Sequence, residues 1–163
     1  MKNILLIGGS YGIGLAIAKE LQFENNVYIA SRSNENLADV NATHIAFDAT
    51  TDTIDTSQLP AIIDGLVYCP GSINLRPFKG LKPEAFKTDL QINFLSLVKV
   101  IQSVLPNLLA SEQASIVAFS SVAATMGMPF HTSVAASKGA IEGFAKALAA
   151  EYAPKIRVNV IAV

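Results

Sequence analysis

Short runs of apolar residues alternate with longer amphipathic segments along the chain. The apolar runs predict six β-strands, at Asn3–Gly8, Val27–Ala30, His44–Phe47, Leu66–Cys69, Ser115–Phe119 and Ile156–Ile161. Apolar residues at helical spacing predict a short helix at Glu35–Val40 and three longer helices, at Gly12–Gln22, Pro83–Leu105 and Ser133–Tyr152. Strands that are apolar throughout and are joined by helices are typical of a parallel sheet covered on both faces.

The order of these elements predicts an α/β fold of the Rossmann type. Six strands with helical crossovers favour the doubly wound strand order 3-2-1-4-5-6. Such sheets bind ligands at the carboxyl ends of the strands, near the point where the strand order reverses. The first and fourth strands flank that point, so the segments Gly8–Gly14 and Tyr68–Gly71 are expected to line the binding site.

Composition and charge narrow the class of protein. The 163 residues suit one domain, and the content of 51% apolar and 15% charged residues fits either a sheet buried on both faces or an added subunit interface. The net charge of −1, without a basic cluster, indicates neither nucleic acid nor an anionic membrane as a partner. The apolar stretch Ile92–Ala110 carries polar residues and a proline, so no membrane span is expected there.

Cysteine usage and the first residues favour a cytoplasmic protein. Cys69 is the only cysteine, which excludes an intrachain disulfide, and Ile4–Ile7 is too short for the apolar core of a signal peptide. Neither His44 nor His131 lies at a spacing that metal sites use, so no metal is expected.

A glycine-rich segment stands between the first strand and the first long helix. Glycine allows a sharp turn and a close approach of the backbone to a pyrophosphate, and the start of the helix offers free N–H groups to phosphates. This context predicts dinucleotide binding rather than a turn that binds nothing. The expected cofactor contacts are Gly8, Ser10, Tyr11, Gly12, Ile13 and Gly14.

The segment after the second strand predicts which nicotinamide cofactor is bound. A carboxylate there would bind the adenosine ribose of NAD and repel a 2′-phosphate. The chain instead has Ser31-Arg32-Ser33, and an arginine pairs well with a phosphate. NADP(H) is therefore the expected cofactor, with Ser31 and Arg32 among its contacts. The alternative is that Arg32 is an ordinary surface arginine.

The spacing Gly-x-x-x-Gly-Ile-Gly from Gly8, together with Ala-Ala-Ser-Lys-Gly around Lys138, resembles the classical short-chain dehydrogenase/reductase family over the whole chain. The resemblance implies an NADP(H)-dependent oxidoreductase that acts on a ketone or alcohol, with a 3-oxoacyl thioester as one option. It also implies that Asp48 contacts the adenine and that the backbone at Gly71 runs beside the nicotinamide ribose. The family's Asn-Asn-Ala before that glycine is replaced by Tyr68-Cys69-Pro70, so both asparagines are missing, and Cys69 is expected to be a buried small residue rather than a nucleophile.

The same resemblance implies the catalytic residues, and one of them is replaced. Asn93, Ser121 and Lys138 match the family's asparagine, serine and lysine, with Ser120 as the neighbouring alternative serine. The family's catalytic tyrosine would stand one helical turn before the lysine, where this chain has Val134. Valine has no proton to donate, so turnover is expected to be impaired. His131 and Thr132 are weaker substitutes for the tyrosine.

The resemblance also concerns the end of the sequence and the assembly of subunits. Family members continue past the sixth strand with a substrate-covering loop and a last strand, and residues 1–163 are expected to lack them. Apolar and small residues on the two long helices favour a homodimer or homotetramer that packs through them. Three possibilities stay open: an impaired oxidoreductase, a non-catalytic NADP(H)-binding protein, and a truncated or engineered fragment.

Overall fold

The six apolar segments pair side by side into one parallel sheet. The computed structural model describes residues 1–163, and its strands follow the order β3-β2-β1-β4-β5-β6. This confirms the predicted Rossmann-type order. The strands are β1 Lys2–Ile7, β2 Asn25–Ser31, β3 Ala42–Ala46, β4 Gly65–Tyr68, β5 Ala114–Ser120 and β6 Ile156–Ala162.

Helices cover both faces of this sheet. They are α1 Gly12–Leu21, α2 Pro83–Leu90, α3 Ser96–Ala110 and α4 Thr132–Tyr152. Because side chains alternate along a strand, Leu5 and Ile7 of β1 pack in a larger core with α3 and α4, while Leu6 packs in a smaller core with α1. The strands are therefore buried on both faces, as their continuous apolar sequence predicts.

The predicted short helix at Glu35–Val40 is wrong. The chain forms turns there, in which Leu37 N–H donates to the Asn34 carbonyl and Val40 N–H donates to the Leu37 carbonyl, both at 3.0 Å. The Asn36 side chain donates to the Ser10 carbonyl at 3.2 Å. Asparagine is among the weaker helix formers, and this long-range bond of Asn36 ties the turns to the glycine loop.

The helix predicted at Pro83–Leu105 is longer and less regular than expected. It was expected to end at Leu105, but it continues through Pro106 to Ala110. It also contains a π-helical turn at Gln91–Leu95, which separates α2 from α3 and includes Asn93. Such turns are uncommon and often accompany functional sites.

The helical stretch 83–110 is also the most apolar part of the chain. By length and composition alone it would suffice to cross a membrane. However, one side of α3 lies in the larger hydrophobic core with the strands β1, β4 and β5, through Leu97, Val100, Ile101, Val104 and Leu108. This packing is that of a core helix.

Candidate cofactor and active site

The glycine loop follows β1 and opens α1, and two of its glycines adopt a backbone conformation that favours glycine. Gly8 has φ +78° and Gly12 has φ +52°, a region that side chains other than glycine rarely adopt. A Cβ on Gly14 would lie 2.4 Å from the Gly8 carbonyl oxygen, so the start of α1 touches the loop backbone. The loop is thus as tight as a phosphate-binding turn requires.

The start of α1 leaves donors free for a ligand. No side chain caps this end of the helix, so no cap accepts a hydrogen bond from its first N–H groups. Ser10 is buried, whereas the Tyr11 and Ile13 side chains are exposed. The unpaired N–H groups and the helix dipole favour an anion at this position.

Beyond the loop, the ends of β2 and β3 place Arg32 and Asp48 near each other. Arg32 is exposed, and its charge is one of the influences that lower the pKa of Asp48. The larger influence on that pKa comes from the Thr50 hydroxyl and N–H, which donate to Asp48 Oδ1 at 2.6 and 2.9 Å. Asp48 therefore stays ionised and is fixed in a turn, with Oδ2 left for a ligand.

The opposite end of the site is built around Lys138. This lysine is 9% exposed, and its Nζ donates to the Phe119 carbonyl at the end of β5, at 2.8 Å. Burial lowers the pKa of Lys138 from its ordinary value of 10.5. A Cβ on Gly71 would lie 3.4 Å from Lys138 Nζ and 3.1 Å from Asn93 Oδ1, so glycine leaves room between the two side chains.

Asn93 joins the π-helical turn to the loop after β4. Its side chain is fully buried, and its amide donates to the Asp89 carbonyl at 2.9 Å and to the Ser72 hydroxyl at 3.1 Å. Its carbonyl oxygen accepts from Ser72 N–H at 3.3 Å. Asn93 thus fixes the backbone on which Gly71 lies, and it makes no direct hydrogen bond to Lys138.

The two serines at the end of β5 differ in what their hydroxyls do. Ser120 is fully buried and donates to Glu142 Oε1 at 2.6 Å. Ser121 is half-buried, and its oxygen accepts from Ala123 N–H at 3.3 Å, which caps a short 3₁₀ turn at Val122–Ala124. The Ser121 hydroxyl proton is not used in that bond, so Ser121 is the more accessible of the two donors.

Val134 lies in the first turn of α4 and is 2% exposed. It contributes packing and no polar group, and the neighbouring Ser133 hydroxyl is buried without a hydrogen-bond partner. His131 precedes the helix with its Nδ1 2.7 Å from the Pro129 carbonyl, and Thr132 is exposed.

A cavity of about 620 Å³ connects these two ends along the carboxyl edge of the sheet. All of the predicted cofactor contacts line it, namely Gly8, Ser10, Tyr11, Gly12, Ile13, Gly14, Ser31, Arg32, Asp48, Gly71 and Lys138. Asn93, Ser121 and Val134 lie outside its lining. The structure adds lining residues that the sequence did not single out, among them Asn36, Thr50 and Phe119. No sequence motif identifies these three residues. Each comes from a different loop or strand end, and only the fold brings them together.

Cys69 also lines this cavity, and burial raises the pKa of its thiol to about 12. A thiol with this pKa stays protonated near neutral pH and is a poor nucleophile. No group of three or more histidine, cysteine or carboxylate side chains is arranged to hold a metal ion.

A doubly wound sheet whose reversal point carries a tight glycine loop defines a protein of the Rossmann type. Within this class, the model of the short chain dehydrogenase family matches residues 2–163, and the chain belongs to that family. Members of the family act on small-molecule substrates and usually form oligomers.

Individual relatives agree with this assignment. The chain is 29% identical to 3-oxoacyl-(acyl-carrier-protein) reductase FabG of Buchnera aphidicola, covering 99% of this chain and 72% of the relative. It is 32% identical to a tropinone reductase homolog of Datura stramonium, covering 97% of this chain and 66% of the relative. Across eight curated relatives the chain spans between 53% and 72% of their lengths.

Solved structures show the same fold. A short chain dehydrogenase from Salmonella enterica serovar Typhi superposes with a TM-score of 0.90 at 27% identity, covering 99% of this chain and 75% of the other. A short chain dehydrogenase from Shigella flexneri 2a, solved in complex with NADP, superposes with a TM-score of 0.88 at 27% identity, covering 99% of this chain and 76% of the other.

Proposed function

We propose that this chain is an NADP(H)-dependent oxidoreductase that interconverts a carbonyl compound and an alcohol, with turnover impaired by Val134. The observation that carries this proposal is the single cavity that runs from Arg32, past the glycine loop, to Lys138. A dinucleotide needs an anion site in the middle, an adenosine site at one end and a ribose-binding cation at the other. The cavity offers residues for all three.

The residues at the adenosine end support NADP(H) over NAD(H). No carboxylate lies in Ser31–Ser33, and Arg32 supplies a cation for a 2′-phosphate. The tight contact between Gly14 and Gly8 supports a pyrophosphate over the start of α1. The related Shigella flexneri protein was solved with NADP, which agrees with this choice.

When bound, the cofactor supplies the hydride that reduces the carbonyl carbon. The remaining tasks belong to the residues of this chain. Lys138 keeps two N–H donors beyond its bond to Phe119 and is proposed to hold the ribose, while the Ser121 hydroxyl orients the carbonyl. Asn93 fixes the loop that carries Gly71. Turnover is limited by the lack of a proton donor, because Val134 replaces the group that would protonate the forming alkoxide.

A 3-oxoacyl thioester is the proposed substrate class, by similarity to the reductase of Buchnera aphidicola. The test is to incubate the chain with NADPH and a short 3-oxoacyl thioester and to follow NADPH oxidation by absorbance. Slow oxidation that requires the thioester is expected, and a simple cyclic ketone serves as the comparison substrate. NADPH binding without any oxidation would instead favour the second candidate below.

The second candidate function is NADP(H) binding without catalysis. The observation in its favour is that Val134 is 2% exposed and brings no polar atom to the site. Cofactor binding at the glycine loop and Arg32 requires neither Ser121 nor a proton donor at position 134, because neither Ser121 nor Val134 lines the cavity. Under this hypothesis the chain binds NADPH and responds to it as a sensor or as the partner of an active subunit.

We further propose that residues 1–163 fold as one domain, act in the cytoplasm and associate through the long helices. Small residues form much of the exposed side of α4, namely Ala136, Gly143, Ala147 and Ala150. Such a surface lets two helices approach closely. Sedimentation velocity tests this proposal, with a dimer or tetramer expected and a monomer at micromolar concentration contradicting it.

A further inference from the structure

The turn that carries Arg32 is held from behind by a histidine on the neighbouring strand. His44 lies on β3, and its Nε2 is 3.1 Å from both the hydroxyl oxygen and the carbonyl oxygen of Ser31. The Ser31 hydroxyl in turn donates to the Ser33 carbonyl at 2.9 Å, which closes the turn around Arg32. We call His44, Ser31 and Ser33 the turn clasp.

The hydrogen positions in the clasp follow from its acceptors. A carbonyl oxygen can only accept, so His44 Nε2 must carry a hydrogen to interact with the Ser31 carbonyl. The Ser31 carbonyl also accepts from Phe47 N–H at 3.1 Å, which uses its second lone pair. Since the Ser31 hydroxyl proton goes to Ser33, that hydroxyl has no proton left for a ligand.

Burial makes this arrangement specific. Ser31 is 5% exposed and His44 is half-buried, whereas Arg32 and Ser33 are exposed. A hydrogen bond shielded from water constrains the backbone more than an exposed one does, and a broken one leaves buried groups unsatisfied. The three bonds of the clasp are partly shielded from water, so they constrain the backbone on either side of Arg32, while the exposed guanidinium remains free to meet a ligand.

We propose that His44 is a positioning residue for cofactor selection, acting through the turn clasp to place Arg32 against the 2′-phosphate. This inference rests on the proposed use of NADP(H). It also changes the role expected for Ser31, which was a direct contact to the cofactor. Ser31 lines the cavity, but its hydroxyl donates to the Ser33 carbonyl within the turn and not to the phosphate. The 2′-phosphate is the only part of the cofactor that NADH lacks, so the clasp governs preference between the two cofactors rather than binding of either.

Calorimetric titration of variants with NADPH and NADH tests the inference. His44→Ala is expected to weaken NADPH binding about tenfold while NADH binding stays within about twofold. His44→Gln keeps an N–H donor at similar reach and is expected to recover most of the loss. Thr43→Ala, exposed on the same strand, is the matched control and is expected to leave both affinities unchanged.

The Ser31→Ala variant separates the clasp from a direct contact with the phosphate. If the clasp acts as a unit, Ser31→Ala and His44→Ala each weaken NADPH binding, and the double variant is no weaker than the worse single one. Hydrogen exchange of the Phe47 amide, which donates to the Ser31 carbonyl, is expected to be faster in the free protein in both single variants. This readout does not depend on turnover.

The outcomes distinguish this inference from the proposed function. A wild-type chain that prefers NADPH, with that preference unchanged in His44→Ala, overturns the role of His44 and leaves the proposed cofactor intact. Weakening in Ser31→Ala alone, without any effect of His44→Ala, also overturns it and assigns the Ser31 hydroxyl to the phosphate. A wild-type chain without preference for NADPH overturns the proposed cofactor and the inference together.

Discussion

The ammonium nitrogen of Lys138 lies 2.8 Å from the carbonyl oxygen of Phe119, one residue before the end of β5. This bond holds a buried cation at the wall of the cavity, beside Gly71. One helical turn earlier, Val134 packs into the interior with no polar atom. We propose that the site keeps the group that holds the ribose and lacks the group that would supply the proton.

Burial of Lys138 gives a prediction about stability and pH. Because the pKa of Lys138 is lowered in the folded chain, the unfolded chain binds more protons between that lowered pKa and 10.5. Lys138 therefore makes the free energy of unfolding increase as the pH rises through this window. Lys138→Met is expected to remove that increase, as measured by urea denaturation at a series of pH values.

Lys146→Met, exposed on the same helix, is the matched control and is expected to keep the wild-type slope. Lys138→Met is also expected to weaken NADPH binding, since the ribose loses a donor. A slope in Lys138→Met equal to that of the wild type would show that Lys138 has an ordinary pKa in the folded chain.

Gly14→Ala tests whether the close contact in the glycine loop forms the anion site. A Cβ there would lie 2.4 Å from the Gly8 oxygen and 3.0 Å from the Gly9 Cα, so the loop must move. We expect a loss of NADPH affinity of about 100-fold or more and a destabilisation of about 1–3 kcal/mol. Calorimetry and thermal melting measure the two effects. Gly80→Ala, which would contact nothing within 4 Å, is expected to change neither, and an unaltered affinity in Gly14→Ala would remove the loop from the site.

Val134→Tyr tests whether the missing hydroxyl limits turnover. General acid catalysis typically contributes about 10²–10⁴-fold, so a gain of that order in NADPH oxidation with a 3-oxoacyl thioester is expected. Val134→Phe adds the ring without the hydroxyl and is the matched control for packing. A variant that binds NADPH normally but gains no activity over Val134→Phe would show that something other than the hydroxyl is limiting.

Arg32→Asp tests the adenosine end. The carboxylate would repel a 2′-phosphate and accept a hydrogen bond from a free ribose hydroxyl. NADPH affinity is expected to fall about 10–100-fold, in line with the loss of a charge-assisted bond, while NADH affinity rises. Arg157→Asp, exposed on β6, controls for the change in net charge. Equal losses for both variants would mean that Arg32 acts only through long-range charge.

The fold was predictable because its signals are local. The alternation of apolar strands with helices predicted the strand order. The spacing of the loop glycines likewise predicted a sharp turn, and the close backbone contact there requires glycine at position 14. The failures occurred where contacts distant in sequence decide the structure. The turns near Asn36 depend on the Ser10 carbonyl, and the π-helical turn around Asn93 depends on Ser72, more than 20 residues away.

The candidate site was predictable to a similar degree. Motif positions identified some of the residues that line the cavity, because the loop glycines and Arg32 lie next to strand ends in sequence. They did not reveal what individual hydroxyls do. The Ser31 hydroxyl closes a turn and the Ser120 hydroxyl binds Glu142, and neither partner is adjacent to its serine in sequence. Only the folded chain shows these pairs.

Calorimetric titration of the wild-type chain with NADPH and, separately, with NADH decides whether the cavity is an NADP(H) site. We expect clear NADPH binding and NADH binding at least about tenfold weaker, since the 2′-phosphate gains a charge-assisted bond to Arg32. Tighter binding of NADH would contradict the assignment of Arg32. Binding of neither cofactor would contradict the claim that the glycine loop and Lys138 form a dinucleotide site in this chain.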